Sequence, residues 1–324
     1  MTHYDVFNGD ADGICALHQL RLAEPCDSLL ITGIKRDIDL LKQVHAQAGD
    51  RVTALDISLD KNRAALKSLL DHGVEVVYLD HHFAGEIPAH PALRATIDPS
   101  PATCTSLLVD AMLAGRFRAW AVAAAFGDGL PDSARLAAAP LNLSEDQLTA
   151  LRELGEYLNY NAYGESVDDL FFHPAELYRR LHAYADPFSF IAGETIFATL
   201  KQGYTADMKL ARALQPERDY PSGSVYLLPG QPWARRVSGV FGNLLAQDEP
   251  AFAHAVLTQK AGGGYLVSVR APRVKPTGAD ELCRQFESGG GRKGAAGINH
   301  LPEKKLERFL TCFAGAFQQT GSTT

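Results

Sequence analysis

Four short clusters carry the side chains that could do chemistry. Asp10 and Asp12 stand in Asn8-Gly9-Asp10-Ala11-Asp12-Gly13, directly after Tyr4-Asp5-Val6-Phe7. Asp56 follows Ala54-Leu55, Asp80-His81-His82 follows Val77-Tyr78-Leu79, and Asp128 stands in Ala125-Phe126-Gly127-Asp128-Gly129. Carboxylates with imidazole and no thiolate form a donor set that suits Mn2+ or Mg2+ better than a structural zinc. Crowded in a partly dry crevice, these acids would raise one another's pKa and destabilise the fold unless cations were present. A single aspartate at a strand end is ordinarily a helix cap or loop residue, and a lone His-His pair is ordinarily packing. The recurrence at successive element ends is what points to a divalent-cation site.

The elements that must position these residues alternate along the first 130 positions. Tyr4–Phe7, Ser28–Thr32, Arg51–Leu55 and Val74–Leu79 read as strands. Helices are expected over Ile14–Leu22, through Leu40-Leu41 and Val44, and over Lys61–Asp71. This β-α repetition predicts an α/β fold with a parallel sheet covered by helices. All its strand ends share one edge, where ligands of such sheets bind. From Ala102 to about Leu214 the spacing is mainly helical. The breaker-rich stretch 216–224 reads as a linker. It divides a metal-binding domain, 1–215, from a smaller α/β domain, 225–324. In the latter, strands are expected at Val225–Leu228, Phe252–Lys260 and Tyr265–Arg270, the last two as a hairpin. Helices are expected at Trp233–Gln247 and about Pro302–Gln318, with a glycine turn at Gly289-Gly290-Gly291.

Composition bounds the function. The 324 residues are 46% hydrophobic and 21% charged, as in a folded globular chain long enough for two cores. The net charge of −7 argues against non-specific coating of nucleic acid, so phosphate must be gripped by local bases or by metal. Cys15, Cys26, Cys104, Cys283 and Cys312 are odd in number and scattered, which fits reduced thiols in the cytoplasm rather than a disulfide framework. The N-terminus lacks a signal-peptide pattern, and the apolar run Ala119–Phe126 is too short to span a membrane.

Taken together, Asp10-Ala11-Asp12-Gly13, Asp56, Asp80-His81-His82 and Asp128 resemble the four motifs of the DHH phosphoesterases. Gly289-Gly290-Gly291-Arg292-Lys293-Gly294-Ala295-Ala296-Gly297 resembles the glycine signature of the DHH-associated substrate-binding domain. The ordered set runs from residue 8 to residue 297. The resemblance implies a hydrolase with two Mn2+ ions, Mg2+ being the alternative, and a substrate held in the cleft between the domains. By it, Asp10 holds the first ion and Asp12 the second. Asp56 bridges them, His81 and Asp128 complete the second site, His82 faces the substrate phosphate, and Asp80 orients the histidines. Two ions would lower the pKa of a bridging water and stabilise charge on the phosphate and leaving oxygen.

The sequence departs from the family pattern in two places. Val6 stands where many members have His, and Asn8 where exonuclease-like members have Asp, so the first ion is expected to be held more weakly. Arg292 stands where the glycine signature usually has His, adding a permanent charge and a bidentate fork for phosphate. With Arg270, Lys293, Arg273 and Lys275 it would form a local basic patch beside the phosphate-binding backbone of Gly289-Gly290-Gly291. Thr103-Cys104-Thr105-Ser106 opens a helix that could meet a phosphate or be simple capping. The rings near Asn159-Tyr160-Asn161-Ala162-Tyr163 read as packing or as base-stacking.

The expected activity is that of a Mn2+-dependent phosphodiesterase acting on short oligonucleotides or on cyclic or linear dinucleotides. Pyrophosphate or polyphosphate hydrolysis, and a catalytically weak nucleotide sensor, are the alternatives. Nothing in the sequence calls for an obligate protein partner or a membrane, and a homodimer is compatible with it.

Overall fold

The computed structural model of the chain describes residues 1–317. The chain divides into two compact units, Met1–Gly203 and Tyr204–Thr324. The first unit runs β1 (His3–Phe7), α1 (Ala11–Ala23), β2 (Leu29–Ile31), β3 (Arg51–Leu55), α2 (Leu59–Asp71), β4 (Glu75–Asp80) and β5 (Leu93–Ile97). Seven helices follow: α3 (Thr105–Met112), α4 (Arg118–Gly127), α5 (Pro131–Ala138), α6 (Glu145–Tyr160), α7 (Pro174–Leu181), α8 (Pro187–Gly193) and α9 (Thr195–Arg212). The five strands pair in parallel in the order β2-β1-β3-β4-β5. The interior strands carry Val6, Phe7, Leu55 and Leu79 fully buried, as a sheet covered on both faces requires.

Register decides where the chemistry lies. Phe7 pairs with Leu55 and Leu55 with Leu79. The next residues, Asn8, Asp56 and Asp80, therefore leave three neighbouring strands at one edge, the carboxyl edge. On one face of this sheet Val52, Val74, Val76 and Tyr78 pack with Leu66, Leu69 and Leu70 of α2 and with Leu40 and Leu41.

Two local expectations are corrected. Leu40-Leu41 opens only a short 3-10 turn, Leu40–Gln43, rather than a helix reaching Val44. The Asn62 side chain accepts from the Leu41 N–H at 3.0 Å and so takes the place of further helical bonds. β5 is a fifth strand that the pattern did not suggest. Its half-buried, alternating edge lacks the apolar run that marks β3 and β4.

The second unit contains β6 (Arg218–Tyr220), β7 (Gly223–Leu228), α10 (Pro232–Asp248), β8 (Ala253–Gln259), β9 (Tyr265–Arg270), α11 (Ala279–Cys283), β10 (Gly289–Arg292), β11 (Ala295–Leu301) and α12 (Leu306–Ala316). Its mixed sheet has the order β10-β11-β9-β8-β7-β6. β7 and β8 are parallel across the α10 crossover, and β8–β9 is the expected antiparallel hairpin. Its core joins Val267, Val269, Leu257 and Ile298 to Phe309 and Phe313 of α12.

The division between the units falls inside α9, not at 216–224. The breaker residues Pro221 and Ser222 there turn a hairpin, because Arg218–Tyr220 pairs antiparallel with 223–225. Gly289–Gly291 is likewise no turn but part of β10, paired with β11. The expected end of the last helix at Gln318 lies outside the described residues.

Candidate metal centre

Each acid at the carboxyl edge is fixed by a different local device. Asp10 caps α1, its Oδ1 accepting from the N–H groups of Asp12 (3.0 Å) and Gly13 (3.1 Å). Asp12, in the first turn of α1, lies under the start of α3. Its carboxylate accepts from the N–H groups of Thr105 and Ser106, each at 2.7 Å. The helix start at Thr105-Ser106 thus binds an acid of this same chain, while the N-cap residue Cys104 makes no side-chain cap, so neither the phosphate nor the local-capping alternative describes it.

Asp56 is the strained member. Its φ of +57° is left-handed, which costs a residue with a side chain about 1–2 kcal/mol. The backbone on either side is pinned to β4. Its N–H donates to the Leu79 carbonyl at 3.0 Å, and the next carbonyl, Ile57, accepts from the Tyr78 hydroxyl at 2.8 Å. Thr105 Oγ1 donates to Asp56 Oδ1 at 3.2 Å. Asp128 is the C-cap residue of α4, a helix whose run of small residues lets its backbone approach α6. A Cβ at Gly155 of α6 would lie 1.9 Å from the Ala123 carbonyl oxygen.

His81 joins these acids. Its Nε2 lies 3.4 Å from Asp56 Oδ1, 3.7 Å from Asp128 Oδ2 and 3.9 Å from Asp12 Oδ2. Such separations are too long or too poor for hydrogen bonds, but neighbouring donors on one small divalent ion stand about 3 Å apart or somewhat more. Ligand atoms of Asp12, His81 and Asp128 form one compact group, and those of Asp56, His81 and His82 another. The donors and their spacing therefore fit a divalent cation centred on His81. His82 Nδ1 bonds Asp80 Oδ1 at 2.7 Å, and the same oxygen accepts from the His81 N–H at 2.9 Å. Asp80 is fully buried, and its Oδ2 has no hydrogen-bond partner among the described residues.

Electrostatics matches this crowding. Burial, then the charges of Asp12, Asp10 and Asp128, push the Asp56 carboxyl well above its ordinary pKa. Burial also raises Asp128, with Lys35 working against it and the other acids adding to it. For Asp10, burial is outweighed by Lys35 and the Gly13 N–H, so its carboxyl sits below the usual range. For His82, burial is outweighed by the Asp80 hydrogen bond and charge, so its pKa rises.

Lys35 is the residue that sequence reasoning missed. Its Nζ donates to Asp10 Oδ2, to Asn159 Oδ1 at 3.1 Å and to Asp128 Oδ1 at 3.3 Å. The available signal was positional: it stands in the loop after an expected strand, at the edge where the acids gather. Asn159 reaches the same ammonium from α6, while Tyr160 is core and Asn161 bonds the Phe172 backbone, so those two positions serve packing.

In the second unit, Ala295 pairs with Arg270 on one side and with Arg292 on the other. Residues directly opposite one another share a face, so the two arginines flank one position at one end of the sheet. The Arg270 guanidinium is held by Asn243 Oδ1 at 2.7 Å and Ser268 Oγ at 2.9 Å, whereas Arg292 and Lys293 are exposed. Gly289, Gly290 and Gly291 are extended as a strand, and a Cβ at Gly291 would crowd Ala296 at 2.5 Å.

No protein-family model matches the sequence, and neither does any curated protein. Solved structures do. The chain is similar to a DHH-domain protein described as a member of the s1p family of ribosomal proteins, with 14% identity, TM-score 0.63, and 97% of this chain and 86% of that one covered. It is similar to the exonuclease RecJ bound to manganese, with 18% identity, TM-score 0.53 and coverages of 97% and 89%. It is also similar to RecJ from Thermus thermophilus in complex with Mn2+, with 18% identity and TM-score 0.55. There it covers 97% of its own length and 51% of the other chain. These likenesses establish the fold, which is that of the DHH-domain proteins. Among the described residues, no helix is long and apolar enough to cross a membrane.

Proposed function

We propose, given the DHH-domain fold, that this chain is a divalent-metal-dependent phosphoester hydrolase. The substrates we assign are short oligonucleotides or dinucleotides, cyclic or linear. The observation that carries this reading is the convergence of Asp12, Asp56, His81 and Asp128 around one point at the carboxyl edge of the sheet. When bound there, Mn2+ or Mg2+ would supply a water acidic enough to attack phosphorus near neutral pH and a positive field for the phosphate. RecJ, the manganese-bound structural neighbour, is an exonuclease, which favours a nucleic-acid substrate.

The chain's own residues do the rest. Asp56 is fixed by its left-handed backbone and offers a carboxyl oxygen to the ion without rearrangement. Asp80 occupies His82 Nδ1, which leaves His82 Nε2 to face a phosphate oxygen, and the Asp80 carboxylate favours the doubly protonated ring that can donate there. In the second unit we assign phosphate binding to Arg270, Arg292, Lys293 and the backbone of Gly289, Gly290 and Gly291. The pairing of both arginines with Ala295 supports this. The five free cysteines favour a cytoplasmic setting.

One observation favours the reading of a catalytically weak nucleotide-binding protein: Asp10 is already ion-paired to Lys35. A single panel separates the readings. Purified protein with Mn2+ is offered a phosphorylated dinucleotide, short RNA, cyclic dinucleotides and polyphosphate. Turnover of a nucleotide substrate, lost in Asp56→Ala, is the expected result. Tight binding without hydrolysis of any of them would favour the sensor, and hydrolysis of polyphosphate alone would replace the assigned substrate.

A further inference from the structure

We infer that Lys35 takes the place of one cation, so that the centre holds a single divalent ion beside a fixed ammonium rather than a pair of metals. This rests on the metal-hydrolase reading above. The three N–H donors of the ammonium have three oxygen acceptors, on Asp10, Asn159 and Asp128, drawn from the start of α1, from α6 and from the end of α4. Neither compact group of ligand atoms includes Asp10, and both share His81. The oxygens of Asp12, Asp56 and Asp128 all face the same His81 Nε2, whose single lone pair serves one metal, so the two groups are alternative seats for one ion, with the ammonium at Asp10.

The placement of Lys35 is built into the backbone. Its N–H donates to the Ala162 carbonyl at 2.9 Å, and its own carbonyl accepts from Asn8 Nδ2 at 3.2 Å. The Asn8 Oδ1 in turn accepts from the Asp10 N–H at 3.2 Å, so one buried amide joins the Asp10 turn to the Lys35 loop. The two loops touch at glycines: a Cβ on Gly9 would lie 2.0 Å from the Gly33 carbonyl oxygen. Asn8 is therefore spent on bracing Lys35. A second divalent ion at Asp10 would have to displace a saturated ammonium that the surrounding backbone holds in place. Paired metals in two-ion hydrolases stand about 3.5–4 Å apart, a separation at which an ammonium and a dication repel strongly. Lys35 is on this account a positioning and charge-supplying residue that fixes the metal count.

The test is metal stoichiometry on the full chain. Apo-protein is titrated with Mn2+, bound ion is counted by elemental analysis after equilibrium dialysis, and the sample is examined by electron paramagnetic resonance. One ion per chain with an isolated Mn2+ spectrum is expected. Lys35→Met, which keeps length but removes the charge, should bind the first ion about tenfold more tightly. It should also acquire a second, exchange-coupled ion. Lys35→Arg, which keeps the charge, should stay at one ion and serves if the Met variant does not fold. Two coupled ions in the wild-type chain overturn this inference and leave the metal-hydrolase reading standing. A folded Lys35→Met that stays at one ion overturns it too. No bound Mn2+ at all overturns both.

Discussion

Asp56 shows most plainly what the site asks of a residue. It is buried to 2% exposure, lies in left-handed backbone and faces three other acids, so it is maintained against its own stability. Asparagine tolerates that backbone and carries no charge. Asp56→Asn is expected to raise the melting temperature of metal-free protein by about 2–4 °C. The same change should abolish the Mn2+-induced shift and lower turnover by roughly 10^3-fold or more. Melting curves with and without Mn2+ check this, and a variant that keeps its metal shift would contradict the ligand assignment.

The same acids set the pH dependence. A carboxyl whose folded pKa exceeds its unfolded value binds its proton more tightly when folded. Stability then falls as pH rises from the ordinary value to the raised one. Asp56 and Asp128 act in this sense. Asp10, held low, contributes stability that is complete above the ordinary carboxyl value and lost as pH falls below it. With two groups raised against one lowered within this site, the site's own contribution to the stability of metal-free protein is expected to fall as pH rises above about 4. A saturating divalent ion should remove that decline, because it favours the ionised acids. Parallel melting profiles with EDTA and with Mn2+ test the point, and two profiles of the same shape would sink it.

At the scale of elements, the site depends on close backbone approach. Gly155 of α6 lies against Ala123 of α4, and these helices deliver Asn159 and Asp128 to Lys35. Gly155→Ala forces a Cβ onto a carbonyl oxygen and is expected to cost about 1–3 kcal/mol. That is a fall of roughly 3–10 °C in melting temperature, and an unchanged value would show that the helix pair can yield. Much of this scaffold was legible in the sequence. β3 and β9 end where the apolar pattern ends, because apolar runs bounded by polar breakers are what a buried strand needs. β5 was not legible, since an edge strand with alternating exposure has no such run. Gly289–Gly291 misled because glycines suit turns, whereas here the stretch is a strand in which Gly291 lies close to Ala296 of β11 and Gly289 close to the Cys283 carbonyl. Among candidate site residues, the acids and His81 stood out by recurring at element ends, Asp128 at the end of a helix and the others at or just after strand ends. Lys35 did not, because one lysine in a loop looks like solvated surface and its partners are far off in sequence.

For the molecule as a whole, the net charge of −7 requires the phosphate binding proposed above to be local. The arginines that flank Ala295 are the contribution to it that we propose for the second unit. Arg292→Ala is expected to raise KM about tenfold or more, by removing a charged hydrogen bond, with kcat little changed. Initial-rate kinetics on a phosphorylated dinucleotide decide it, and a fall in kcat at unaltered KM would place Arg292 in the chemical step instead. Metal and fold are linked as well. At a hundredfold excess of Mn2+ over its Kd the ion should add about 2.7 kcal/mol to the first unit.

The most direct measurement is anomalous diffraction at the manganese edge from crystals soaked in Mn2+. A peak is expected within bonding distance of His81 Nε2 and of carboxylate oxygens from Asp12, Asp56 and Asp128. A map with no peak there, or with Asp56 and His81 engaged by different partners, would contradict the metal centre on which the proposed activity depends.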